Sequence, residues 1–75
     1  MPILHGTIVR ESDKAILFEY TILEYPNGNK EKCEGKEWFP DSQITKIERH
    51  TNIGEDKIWI SEWIAERKGL YDSID

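Results

Sequence analysis

Only one cysteine, Cys33, stands in this 75-residue chain. It has no intrachain partner, so a disulfide-stapled secreted scaffold is excluded. The two histidines, His5 and His50, lie in separate segments, and neither Cys-x-x-Cys nor His-x-x-x-His spacing occurs. A zinc site draws its ligands from such spacings, so solvated surface histidines are expected, with no metal and no other cofactor. The glycines at 6, 28, 35, 54 and 69 are isolated, and none belongs to a glycine-rich loop that opens a helix to cradle phosphates. No run approaches the roughly 20 apolar residues of a membrane span. The first six residues lack the charged and apolar regions of a signal peptide. A soluble cytoplasmic setting, away from membranes, is the expectation.

Basic charge is also in short supply. Ten Lys and Arg stand against fifteen Asp and Glu, a formal charge of -5. That balance disfavours non-specific binding to nucleic acid, which rests on cations neutralising phosphates. A chain of this size forms one domain and buries only about 60% of the surface its unfolded form exposes. Its core must use large side chains, and eleven per cent of the residues are aromatic.

The first half reads as strands. Residues 3–10 are rich in β-branched side chains, and residues 11–14 form a polar turn. Over residues 14–25, Ile16, Phe18, Tyr20 and Ile22 alternate with Leu17, Glu19, Thr21 and Leu23, so period two places the first set on a core face. Pro26-Asn27-Gly28-Asn29 is the strongest turn, because Asn-Gly tolerates the positive φ of a tight hairpin. Residues 30–39 return as a strand whose first half is charged and exposed, with Gly35 as a bulge or second turn. Pro40 ends it. Ile44 and Ile47, three apart, do not fit one strand face. A helical turn over 41–44 and a strand over 45–50 reconcile them. After a polar loop at 51–56, residues 57–60 form a short strand with Ile58 and Ile60 on one face and Trp59 on the other.

A short helix follows at about 61–68. Ser61 is its N-cap, Glu62 sits at the positive end of its dipole, and Arg67 and Lys68 sit at the negative end. Gly69 and Leu70 complete a Schellman stop. A helix this short must dock, and Trp63, Ile64 and the stem of Arg67 are what it has to dock with. Trp38 and Trp63 are therefore expected in the core, whereas Trp59 has no necessary structural task. The expected fold is mainly β: one domain over 1–70, an antiparallel five-stranded SH3-like or OB-like barrel or bent sheet, one C-terminal helix, and an acidic tail at 71–75.

Three runs carry a resemblance: Lys14-Ala15-Ile16-Leu17-Phe18, Trp38-Phe39-Pro40-Asp41-Ser42-Gln43-Ile44, and Trp63-Ile64-Ala65-Glu66-Arg67-Lys68-Gly69-Leu70. Together, over about residues 8–70, they resemble a group of very small phage and bacterial proteins. The resemblance implies a cytoplasmic prokaryotic or viral setting and brings no catalytic residues to carry over. This chain departs from the group by a longer insert at 23–35, around the Pro-Asn-Gly turn.

No catalytic spacing stands out. Cys33 lies among Lys30, Glu31, Lys32 and Glu34, where nothing marks a reactive thiolate. The acids are scattered through turns and strand edges rather than paired. The function expected is a non-enzymatic protein-interaction module, with an unidentified protein or a second copy of itself as partner. Tyr25, Asn27, Gly28 and Trp59 are the candidate contact residues, since Trp and Tyr are enriched in binding hot spots. The alternative is a small barrel binding single-stranded nucleic acid. It would stack bases on Tyr20, Tyr25, Trp38 and Trp59, with Lys30, Lys32, Lys36, Lys46, Arg49 and Lys57 as the cations.

Overall fold

A computed structural model describes residues 1–49 and 54–70. His50, the rest of the 51–53 loop and the 71–75 tail lie outside the described residues. Five strands form one antiparallel sheet: β1 (Ile3–Glu11), β2 (Ala15–Glu24), β3 (Lys30–Pro40), β4 (Ile44–Glu48) and β5 (Asp56–Ile60). A 3-10 turn at Asp41–Gln43 joins β3 to β4, and a six-residue helix, α1 (Glu62–Arg67), follows β5. The strand order is β3-β2-β1-β5-β4, with β3 and β4 at the two ends. The mainly β fold with a C-terminal helix is as the strand pattern predicts.

Opposed residues in an antiparallel ladder share a face. Leu4 faces Leu23 on one side and Ile58 on the other, and all three are fully buried. Phe18, Phe39 and Ile60 are equally buried beside them, and Ile64, Ala65 and Leu70 close the core from the helix side. Fully burying an aliphatic or aromatic side chain contributes about 1.5–3 kcal/mol. That scale makes this single layer the main source of stability.

Register shifts bend the sheet and correct two readings of the sequence. The β1/β2 and β2/β3 ladders both shift between Tyr20 and Ile22. Tyr20 and Leu23, three apart, are therefore both buried, while Ile22 turns outward and is only half-buried. A second shift between Ile44 and Lys46 lets Ile44 oppose Ile60 and Ile47 oppose Ile58, so both take the inner face of the ladder, Ile44 half-buried and Ile47 at the edge and still 38% exposed. The strand thus starts at Ile44 rather than Thr45. In each case an extra residue in one strand restores the face that simple alternation would lose.

The helix ends follow the sequence closely. The Ile64 N–H donates to Ser61 Oγ at 3.1 Å, and the Ser61 hydroxyl donates to Gln43 Oε1 at 2.5 Å. The cap thereby also ties α1 to the 3-10 turn. Leu70 N–H bonds the Ala65 carbonyl and Gly69 N–H bonds that of Glu66, the two bonds of a Schellman motif. Gly69 holds the positive φ of 70° that this motif demands.

What the helix buries differs from expectation. Trp63 is 54% exposed, and Ile64 and Ala65 face the sheet instead. Six helical residues present one narrow stripe. Once Ile64, Ala65 and the folded-back Leu70 occupy it, Trp63 points about 100° away. The stem of Arg67 does not dock either, for its guanidinium lies over the Trp63 ring at 4.9 Å. Trp38 is likewise 41% exposed, because its strand neighbour Phe39 takes the inward position.

Candidate interaction surface

The turn residues Tyr25, Asn27 and Gly28 and the strand residue Trp59 do not form one site. Between β2 and β3 the Gly28 N–H donates to the Tyr25 carbonyl at 2.9 Å, and the Asn29 N–H donates to Asn27 Oδ1 at 3.0 Å. Gly28 takes φ 93° at the open tip. Asn27 and Gly28 thus have the structural work of closing a hairpin. Tyr25 packs against the core cluster, and its hydroxyl donates to Glu31 at 2.6 Å. Trp59 is half-buried on the opposite face of the sheet, beneath the Lys46 ammonium at 4.7 Å.

The face that carries Trp59 can be read across all five strands. One row runs Lys30, Glu24, Ile3, Trp59, Lys46. The next runs Lys32, Ile22, His5, Lys57, Glu48. Half-buried apolar side chains therefore form the centre and lysines the margins. A shallow depression of about 370 Å³ lies over Ile22 between Lys30 and Lys32.

His5 sits in the middle of this face and is not solvated, contrary to the sequence reading. It is 3% exposed. Its Nε2 lies 2.9 Å from Glu24 Oε1 and its Nδ1 lies 2.8 Å from Glu55 Oε1. With both nitrogens engaged and the ring buried, His5 is a clamp joining β1, β2 and the approach to β5. Among the described residues no group of three or more His, Cys, Asp or Glu side chains is arranged to hold a metal ion.

The other polar groups of interest are also internal ties. The Asp56 carboxylate, 8% exposed, accepts from the Ile8 N–H at 2.9 Å. Burial pushes the Cys33 thiol above its ordinary value, and Glu31 nearby adds to this. Such a thiol is a poorer nucleophile at neutral pH, as its charged neighbours suggested. Tyr20, named above as a stacking platform, is 5% exposed and cannot serve as one. Burial, with Glu37 and Cys33 behind it, holds its hydroxyl above the usual range.

Sequence reasoning missed Trp63 as surface altogether, and placed Trp38 there only in the nucleic-acid alternative. No helix among the described residues is long and apolar enough to cross a membrane. Compared with family models, curated proteins and solved structures, the chain matches none.

Proposed function

We propose that this protein is a non-enzymatic interaction module of the cytoplasm whose contacts are made by its outward tryptophans. The observation that carries this reading is that Trp38 and Trp63 are 41% and 54% exposed in a chain with only three tryptophans. A small domain has every reason to bury its largest side chains, since each removes about 150–250 Å² from water. Leaving two of them out forgoes stability that the core needs. Trp and Arg are also the residue types that dominate binding hot spots, and Trp63 already carries Arg67 over its ring. A partner side chain would find there a flat apolar ring edged by a cation.

The test compares wild type, Trp63→Ala and Trp38→Ala as immobilised baits, each shown to unfold at the wild-type denaturant midpoint. Loss of a captured partner in either variant supports the reading. Equal capture by all three baits overturns it.

A second reading, binding of single-stranded nucleic acid, is favoured by the sharing of one sheet face by Trp59, Lys30, Lys32, Lys46 and Lys57. Glu24 and Glu48 interrupt the same rows, and Lys46 lies 3.8 Å from Glu48, so the cations are partly spent. Sub-micromolar binding of an oligonucleotide with a steep salt slope would move this reading to first place.

A further inference from the structure

β3 is the longest strand of the sheet, eleven residues, and its outer edge pairs with no strand among the described residues. A long open edge is a template for another strand, and proteins commonly block it with charge. Here the side chains alternate along the strand. Lys32, Glu34, Lys36 and Trp38 are exposed on the outer face, while Cys33, Gly35 and Glu37 are half-buried on the inner face. These charges are ordered so that, among symmetric pairings that engage most of the strand, they block all but one.

Two copies joined edge to edge in antiparallel fashion are related by a two-fold axis perpendicular to the sheet. That axis preserves faces, and opposed residues must share a face. Each allowed register is therefore centred on one residue that opposes itself. Centring on Glu34 sets Glu34 against Glu34, Lys32 against Lys36 and Glu31 against Glu37. A centre at Cys33 opposes Lys30 to Lys36, and centres at Lys32 or Lys36 oppose that lysine to itself. Among the centres that pair seven or more residues of β3, only Gly35 is free of like charges. It sets Glu34 against Lys36 twice and Lys32 against the Trp38 ring twice, with Cys33 opposite Glu37 on the inner face.

We propose that this protein self-associates through β3, antiparallel about Gly35, so that two five-stranded sheets become one of ten strands. The occupant of the open edge is a second copy of the chain. Charge complementarity and the exposure of Trp38 carry this inference. It rests on the reading of exposed tryptophans as contact residues only for Trp38, and it makes no use of Trp63. The ladder is short, so the dimer is expected at the weak end of specific interfaces.

Sedimentation equilibrium up to about 1 mM protein tests it, a concentration that resolves dissociation constants in the micromolar range. By symmetry Lys36→Glu creates two Glu–Glu pairs, and Glu34→Lys creates two Lys–Lys pairs. Each variant alone is expected to dimerise at least about tenfold more weakly than wild type. Mixed one to one, the two variants oppose Glu to Lys at both positions and are expected to form a heterodimer of near wild-type affinity. The Glu34→Lys/Lys36→Glu double variant should likewise regain self-association. Lys36 also faces Glu19 within the sheet, so Lys36→Glu is checked for an unchanged fold by circular dichroism. Mixing does not repair that internal pair, so recovery on mixing reports the contact between copies. A wild-type monomer throughout this range overturns the proposal, as does failure of the mixture to associate. Either outcome leaves capture of other partners through Trp63 standing.

Discussion

The Tyr20 ring lies over Gly35 so closely that a Cβ built at position 35 would stand 2.4 Å from the Tyr20 hydroxyl oxygen and 2.7 Å from Cζ. Tyr20 and Gly35 oppose each other across β2 and β3. The glycine is not a turn, and the β2/β3 register shift falls beside it, between Gly35 and Lys32. Gly35 is a gap in the edge strand that receives an aromatic ring.

Gly35→Ala is expected to destabilise the fold by about 1–3 kcal/mol, because the buried ring must move and the core beneath it is full. Tyr20→Phe removes the nearest clashing atom, so the two substitutions should be less than additive in a double-mutant cycle. At Gly6 the obstacle is backbone, since a Cβ there would stand 1.9 Å from the Glu19 carbonyl oxygen. Gly6→Ala should thus cost more than Gly35→Ala and not respond to Tyr20→Phe. Urea denaturation of the three single and two double variants checks the ranking.

His5→Ala is expected to cost on the order of 2–3 kcal/mol, the scale of hydrogen bonds to charged partners, since it leaves Glu24 and Glu55 facing an empty site. His5→Gln, with one amide to reach two carboxylates, should fall between. If His5 were a solvated surface residue, neither change would shift the denaturation midpoint beyond about 0.5 kcal/mol.

The uneven legibility of this chain follows from the range of the interactions. The Ser61 cap, the Gly69–Leu70 stop and the opposite faces of Ile58 and Trp59 are local, and spacing alone gives them. The His5 clamp joins residues 19 and 50 positions apart, and no periodicity connects them. Ile22 was misplaced because a register shift beside Thr21 swaps faces in mid-strand, and nothing in Tyr20-Thr21-Ile22-Leu23 announces it. Tyr25 adjoins the turn, and nothing in the local pattern shows that its half-buried ring also packs against the core from outside the strand. Size misled as well: Trp63 outranks Ile64 in apolar area, but the helix has room for one of them against the sheet.

Alkaline pH should weaken the fold through Tyr20. Burial raises its hydroxyl above the ordinary range, so the folded chain keeps that proton longer than the unfolded chain. The stabilising contribution is complete below about pH 10, the unperturbed tyrosine value, and is lost as pH rises through the raised one. Cys33 is shifted in the same direction and begins to act at lower pH. In a Cys33→Ser background, the urea midpoint of the Tyr20 protein should fall relative to that of Tyr20→Phe as pH increases beyond that point. Parallel profiles would count against a raised Tyr20.

Trp63 and Ile64 separate contact surface from core most sharply, since they are adjacent in one helix. Ile64 is 6% exposed, so Ile64→Ala removes buried methylenes and should cost about 2–5 kcal/mol. Trp63→Ala loses only the Arg67 contact over its ring and partial coverage, and should cost less than about 1 kcal/mol. Six helical residues cannot stand alone, so α1 is held by Ile64, Ala65 and Leu70 and not by its largest side chain. A denaturation midpoint that falls further for Trp63→Ala than for Ile64→Ala would return the tryptophan to the core and remove the main support for an interaction surface on this helix.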